Sequence, residues 1–327
     1  MVKEIQVNSF LRYLGQGISK PALVLADDFQ KYILKTQKVV VGGKREDYNC
    51  MFLNEIVSYK IAQYLGVPIP DAAIAFVDPR LIEDDREILF VHKFEEGHFF
   101  ASQELENTEE NLVENYQQMF QMGRPYIKRS WNAFFDNIKN PEDIAKIVAF
   151  DLLIANRDRF RNEGNLLIAN TEEGRKVFAI DHGHAFFGPT WTSSKIQNMR
   201  LAPTGQYVDS FTNYLVDTNE GKIDGLGMIF NAIQSKIDLT DVKNHSFMNI
   251  IAEIEHINER TVDSFFEGIP HEWFIEYDMQ TTIYKDFLLK QKGLIRYIIQ
   301  NLMNINAFSN TVGGVLHWID EKRAGTV

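Results

Sequence analysis

Apolar positions along the chain divide it into two unlike stretches. Residues 22–36, ALVLADDFQKYILKT, read as two short strands joined by a tight turn at Ala26-Asp27-Asp28-Phe29. The next stretch, NCMFLNEIVSYKIAQYLG, carries Phe52, Ile56, Tyr59, Ala62 and Leu65 at helical spacing. Gly66 is its expected stop, with Pro68 and Pro70 beyond. DAAIAFVD and REILFVHKF read as further strands. Past about residue 97 the pattern turns helical. Residues 103–119 are acidic and should open one or two helices. PEDIAKIVAFDLLIAN, from Pro141, is an amphipathic helix with proline near its first turn. NLLIANTEEGRKVFAI reads as a hairpin with its turn around Asn170–Gly174. Residues 240–303 return to helices, of which TTIYKDFLLKQKGLIRYIIQNLMNI is the clearest, and the tail after Phe308 should be loosely held. There is no internal repeat. The pattern therefore predicts an α+β protein with a small strand-rich part, residues 1–97, and a larger helical part, residues 98–327. The division falls near the KFEEG segment.

Composition narrows the partners. A chain of 327 residues suits one large domain or two smaller ones. Its net charge of −11 disfavours a general nucleic-acid binder, which usually carries a basic face, and disfavours attraction to anionic membranes. Any basic site must be local. Cys50 is the single cysteine, which excludes an internal disulfide and a cysteine-based zinc cluster and fits a reducing compartment. The opening MVKEIQVNSFLRYLGQG lacks an apolar core of signal-peptide length. No apolar run approaches the ~20 residues of a membrane span. The expectation is a soluble, cytoplasmic protein.

The most informative stretch is ANRDRFRNEGNLLI, residues 155–168, a polar loop between two apolar runs. Asp158 lies there among Arg157, Arg159 and Arg161. Nearby positive charge favours an ionised carboxylate, and such a group in a loop can orient a hydroxyl and accept its proton. Asn165 opens the apolar strand that follows, and its amide oxygen could coordinate a hard cation. Asp181 ends the returning strand of the hairpin, so Asn165 and Asp181 should lie close. Base, metal ligand, hairpin, metal ligand is the layout of phosphoryl transfer. Asn162 is an alternative to Asn165 as the ligand. The bland reading of the loop is a solvated ion-pair cluster. His182 and His184 have an H-x-H spacing, but no third histidine lies near them for a zinc site.

The run Asp158…Asn165-Leu166-Leu167…Ile180-Asp181-His182-Gly183 resembles the catalytic loop and metal-binding segment of kinases. The spelling NRDRFRNEGNLL followed by AIDHGHAFF is similar to that of the HipA-like kinases, and type II phosphatidylinositol 4-kinases have a similar loop. Upstream, Tyr32-Ile33-Leu34-Lys35 resembles the strand bearing the ATP-binding lysine, with Glu55 as its helix partner. Gly15-Gln16-Gly17-Ile18-Ser19-Lys20-Pro21 resembles the phosphate-covering loop, and Lys93, Phe94, Glu95 and Glu96 the hinge behind adenine. The resemblance spans roughly residues 12–190. It implies a two-lobed protein-kinase-like fold, with ATP in the cleft and Mg²⁺ on Asp181 and Asn165. Asp158 is then the base, the acceptor a serine or threonine hydroxyl on a protein, and an antitoxin-type protein a partner to look for. The arginines around Asp158 would then serve a passing phosphate. The sequence departs from the general kinase pattern in the seven-residue step from Asp158 to Asn165, in Lys20 where a third loop glycine is usual, and in Asn156-Arg157 before the base. The rival readings are a lipid or small-molecule kinase, an AMP transferase on the same scaffold, and a nucleotide-binding pseudokinase acting by contact alone.

Overall fold

A computed structural model of the chain describes residues 2–14, 20–109, 127–162, 164–216, 218–219, 222–223 and 226–319, with the backbone alone for 127–130, 218–219 and 222–223. Seven strands precede residue 104: β1 (Lys3–Tyr13), β2 (Ala22–Ala26), β3 (Lys31–Leu34), β4 (Lys38–Val41), β5 (Lys44–Asp47), β6 (Ala72–Val77) and β7 (Gly97–Gln103). Five of them close a barrel in the order β1-β2-β3-β7-β6, and the parallel pairing of β6 with β1 seals it. The expected turn between β2 and β3 is present. Asp27 accepts the Gln6 N–H at 3.0 Å, Asp28 accepts the Gln30 N–H at 2.9 Å, and Phe29 takes a left-handed φ of 64°. β4 and β5 form a separate hairpin between the barrel and helix α1 (Met51–Tyr64).

The segment 86–94 departs from the expected strand. It forms a one-turn helix, α3 (Glu87–Phe90), just after α2 (Pro79–Asp84). The Asp85 carboxylate accepts the Glu87 N–H at 2.9 Å and starts that turn. Only Ile88 of α3 is buried, while Phe90 stays 64% exposed. The strand that fills the barrel is β7, which pairs with β6 from Ala72↔Ser102 to Val77↔Gly97 and with β3 at Leu34↔Ala101. The barrel therefore extends to residue 103, past the expected division at 97. The chain leaves it through residues 104–109, where the Glu104 N–H donates to the Lys31 carbonyl at 2.9 Å and the Glu109 N–H to the Ile168 carbonyl at 2.8 Å. These residues are not helical, and residues 110–119 of the expected acidic helices lie outside the described residues.

The remaining described residues are mainly helices, small hairpins and the loops between them. α4 (Ile127–Phe134) and α5 (Asp143–Leu153) lead to the hairpin β8 (Leu166–Thr171) and β9 (Gly174–Ala179), which matches the expected register with its turn at 172–173. Then follow α6 (Ser193–Arg200), α7 (Gly205–Leu215), α8 (Met228–Ile233), α9 (Met248–Glu255) and α10 (Glu259–Ser264). The long helical pattern near the end splits into α11 (Tyr277–Gln291) and α12 (Ile295–Asn304), parted around Gly293. Residues 309–319 are better held than expected, and 320–327 lie outside the described residues. Leu316 and Trp318 are buried, and the Leu316 N–H donates to Gln300 Oε1 at 2.9 Å. No helix among the described residues is long and apolar enough to cross a membrane.

A single apolar core runs from barrel to helices, and α1 lies at its centre. Eleven of the fourteen residues of α1 are buried, so it meets neighbours on every side. Phe52 touches the Phe99 ring of β7 at 5.7 Å and the Trp273 ring at 5.2 Å.

Gly227, just before α8, has a φ of +131°, and a Cβ there would fall 2.2 Å from the Phe160 carbonyl oxygen. Gly227→Ala should destabilise the fold by about 2 kcal/mol or more, since both strain and a backbone clash oppose it. Thermal unfolding followed by circular dichroism measures this. A melting temperature equal to wild type would contradict it.

Candidate active site

Lys35 follows directly on β3 and is buried. Its Nζ lies 2.5 Å from Glu55 Oε1 and 3.1 Å from Asp181 Oδ1. Glu55, from the middle of α1, is 1% exposed. Its other oxygen, Oε2, accepts the His182 backbone N–H at 3.0 Å. Burial pulls the Lys35 ammonium down, but Asp181 and Glu55 together outweigh it and hold it above the usual lysine range. Burial likewise pushes Glu55 up, and Lys35 and His182 outweigh that, leaving it well below the usual carboxylate range. The pair is ionised at neutral pH.

The polar loop after α5 is built around Arg159, which is fully buried. Its Nε donates to Asp151 Oδ2 at 2.6 Å, and its Nη1 donates to the carbonyls of Asn165 and, at 2.7 Å, Ile180. One guanidinium thus ties α5 to the foot of the β8–β9 hairpin. Arg157 Nη1 donates to the Tyr214 carbonyl at 3.1 Å, and Arg161 Nη2 to the Leu215 carbonyl at 3.3 Å, both at the C-terminal end of α7. The arginines anchor the loop. At least one N–H group of each arginine is engaged with a carbonyl or with Asp151, so each of them has a structural role in the loop.

That anchoring presents Asp158 at the head of a single 3₁₀ turn, half-buried. Asn165 Nδ2 donates to Asp158 Oδ2 at 2.8 Å, and Asn165 Oδ1 takes no hydrogen bond among the described residues. Asn162 differs. Its Oδ1 accepts the Gly164 N–H at 3.1 Å, so its oxygen already shapes the turn. Asp181 follows β9 with a left-handed φ of 59°. The Ile180 N–H donates to the Asn165 carbonyl at 3.1 Å, which sets Asn165 beside the Asp181 segment. Asp158, Asn165, Asp181, Lys35 and Glu55 are therefore brought together.

Other expected residues are placed differently. Gly15, Gly17 and Ser19 lie outside the described residues. Lys20 is exposed just before β2, whose first residue, Ala22, pairs with Leu34. Lys93–Glu96 do not form the crossing between the two parts. Phe94 is buried against Phe10 and Phe99, the Lys93 carbonyl accepts from Thr36 Oγ1 at 3.1 Å, Glu95 pairs with Lys38 at 2.6 Å, and Glu96 is exposed. The chain leaves the last barrel strand, β7, through residues 104–109. Two groups escaped the sequence reading, the Asp151–Arg159 pair and Asn54. Asp151 inside the apolar run IVAFDLLI was the available signal, since a buried carboxylate needs a partner.

A model of the HipA-like kinase family matches residues 7–200. The chain belongs to the HipA-like kinase family. Among solved structures, the Helicobacter pylori proinflammatory kinase CtkA is similar at 13% identity over 93% of this chain and 95% of that one, with a TM-score of 0.50. HipA of Shewanella oneidensis MR-1, solved with HipB and its operator DNA, aligns at 14% identity over 89% of this chain and 67% of that one, with a TM-score of 0.37. A search of curated proteins finds no match. The fold is α+β and kinase-like, and the protein is a kinase by family.

Two predictions concern the stability of this HipA-like kinase. Asp151→Asn leaves Arg159 buried without a counter-charge and should destabilise the fold by about 3 kcal/mol or more, read by urea unfolding. Lys195 on α6 is also buried, and burial lowers its ammonium to about 8 from 10.5. The unfolded chain then holds that proton between pH 8 and 10.5 while the folded chain releases it, so this residue's contribution to stability rises with pH across the window. Wild-type stability relative to Lys195→Met should climb from pH 7 to pH 10.5. A difference independent of pH would refute the assignment.

Proposed function

We propose that the protein is an ATP- and Mg²⁺-dependent phosphotransferase that moves the γ-phosphate to a serine or threonine hydroxyl on a protein. The observation that carries this reading is the ionised lysine held between Glu55 and Asp181, facing a loop that presents Asp158. On this reading the nucleotide lies between the barrel, up to Gln103, and the helical part. Lys35 holds its phosphates, and the 104–109 crossing runs behind the base.

The residues fit a hard, oxygen-binding cation. Asp181 offers a carboxylate and Asn165 a carboxamide oxygen with no other bond among the described residues. Among the described residues there is no group of three or more His, Cys, Asp or Glu set to hold a metal. That suits Mg²⁺, which is usually bound by one or two carboxylates and completed by substrate phosphates and water. Bound there, the cation would neutralise charge developing on the phosphates. Asp158 orients the acceptor hydroxyl and takes its proton as that oxygen bonds to the γ-phosphorus and ADP leaves. Asn165 Nδ2 holds one oxygen of Asp158 and leaves the other for this task. The roles of Gly15, Gly17, Ser19 and Lys20 over the phosphates rest on family resemblance. So do the protein acceptor and an antitoxin-type partner.

The test is incubation with Mg²⁺ and γ-labelled ATP, alone and with cell extract. Asp158→Asn should lower kcat by roughly 10²–10⁴-fold, as expected for loss of a general base. Lys35→Met and Asp181→Asn should abolish labelling. Label from α-labelled ATP would mean AMP transfer, and label in lipid or a small molecule would replace the protein acceptor. Bound nucleotide without turnover would mean a pseudokinase, and failure to bind nucleotide would overturn the reading.

A further inference from the structure

We propose that Asn54 is a positioning residue that holds the Asp181 carboxylate in its working place. This rests on the kinase reading for the role of Asp181, though not for the geometry. Asn54 is 0% exposed and sits on α1 beside Glu55. Its Nδ2 lies 2.7 Å from the Gly183 carbonyl oxygen, 2.9 Å from that of Ala185 and 3.0 Å from that of Gly188. Two N–H groups thus serve three carbonyls. Its Oδ1 accepts from Tyr284 OH at 2.7 Å and from Lys195 Nζ at 3.2 Å. Lys195 Nζ also donates to the Gly188 carbonyl at 2.6 Å. Two donors converging on one oxygen fix which way the carboxamide faces.

The loop that Asn54 grips makes two turn bonds of its own, Ala185 N–H to the His182 carbonyl at 2.9 Å and Gly188 N–H to the Ala185 carbonyl at 3.2 Å, yet it carries strained backbone. Asp181, Phe186 and Phe187 all have left-handed φ values, of 59°, 55° and 64°. Such conformations are disfavoured for residues bearing a side chain, most of all bulky ones, and persist only when the surroundings over-determine them. Glu55 Oε2 holds the His182 N–H, and Asn54 holds the next three contact points. The approach is tight, since a Cβ on Gly183 would fall 2.6 Å from Met51 Cγ of the same helix. Consecutive residues of α1 thereby set both the partner of Lys35 and the path of the chain leaving Asp181. Packing alone would be satisfied by an apolar residue of similar size. An amide with every partner in place fixes direction as well as filling volume.

Asn54→Asp keeps the shape of the side chain and removes both donors. In the nucleotide-free protein, amide hydrogen exchange at His182–Gly188 should accelerate at least tenfold, with barrel amides unchanged. In the ATP turnover assay, the Mg²⁺ concentration for half-maximal rate should rise at least tenfold while nucleotide affinity changes less than threefold. A folded Asn54→Asp protein with wild-type exchange and metal dependence overturns the proposal, even where its melting temperature falls, because Asn54 would then serve packing only. Should Asn54→Asp fail to fold, Lys195→Met decides. It removes one of the two donors that orient the carboxamide, together with its own bond to the Gly188 carbonyl, and should shift both readouts at least threefold, and wild-type values overturn the proposal. Absence of ATP turnover in wild type would sink the kinase reading alone, since the exchange measurement judges Asn54 without it.

Discussion

A charged lysine inside the protein is the constraint on which the cleft depends. Lys35 arrives from the barrel, Glu55 from α1 and Asp181 from the end of β9. Moving the barrel or α1 alone would part Lys35 from the fully buried Glu55, at a cost of several kcal/mol, whereas Asp181 is the partly exposed member of the cluster. Such a cluster adds little net stability over a well-packed apolar one. Its effect is to exclude other arrangements. The apolar core could tolerate small slides between barrel and helices, whereas the 2.5 Å contact between Lys35 and Glu55 could not.

Arg159 plays the matching part on the other side of the cleft. Its guanidinium joins Asp151 to the carbonyls of Asn165 and Ile180, the two residues flanking the foot of the hairpin. Burial pushes the Asp151 carboxyl up, and Arg159 beside it pulls it back. The loop can present Asp158 because Arg157 and Arg161 spend their donors on the end of α7. This resolves the oddity of an arginine-rich loop in an acidic chain. Each arginine meets a backbone carbonyl, and Arg159 a buried carboxylate as well, so the basic residues help to build the loop that carries them.

Much of the fold was legible where local pattern and tertiary environment agree. The β2–β3 turn is written in Asp27 and Asp28, the β8–β9 hairpin in two apolar runs around Glu172-Glu173, and α1 in its spacing. The errors lie where side-chain burial follows distant contacts. ILFV at 88–91 has the composition of a strand, yet Asp85 caps a helical turn there, and the barrel instead takes HFFAS, which the pattern does not single out. That one displacement moved the expected hinge to the wrong end of β7. Around the Lys35 cluster, the polar residues flanked by apolar strands stood out in the sequence as candidates, Asp158, Asn165 and Asp181, and the fold brings them near one another. The choice between Asn162 and Asn165 was not readable, because it turns on which amide oxygen is already bonded, and only the folded loop shows that. Asn54 was invisible for the same reason, since its partners lie more than a hundred residues away.

α1 joins the Lys35 cluster to the C-terminal helices. Its N-terminal half faces the cleft, through Asn54 and Glu55, while its remaining faces meet the C-terminal helices. Phe52 packs on Trp273, Tyr64 on Phe265, Lys60 Nζ donates to the Glu267 carbonyl, and Gln280 Nε2 approaches Cys50 Sγ at 3.4 Å. Trp273 Nε1 in turn donates to the His98 carbonyl of β7 at 3.1 Å. The residues after α10 therefore brace both α1 and the barrel. Withdrawing Glu55 from Lys35 by a swing of α1 would strip Phe52 and Ile56 from their neighbours, uncovering two large side chains worth roughly 1.5–3 kcal/mol each, before the ion pair itself is counted. The C-terminal helices thus form the back wall that keeps Glu55 against Lys35, and the cleft at the front inherits its geometry from packing behind it.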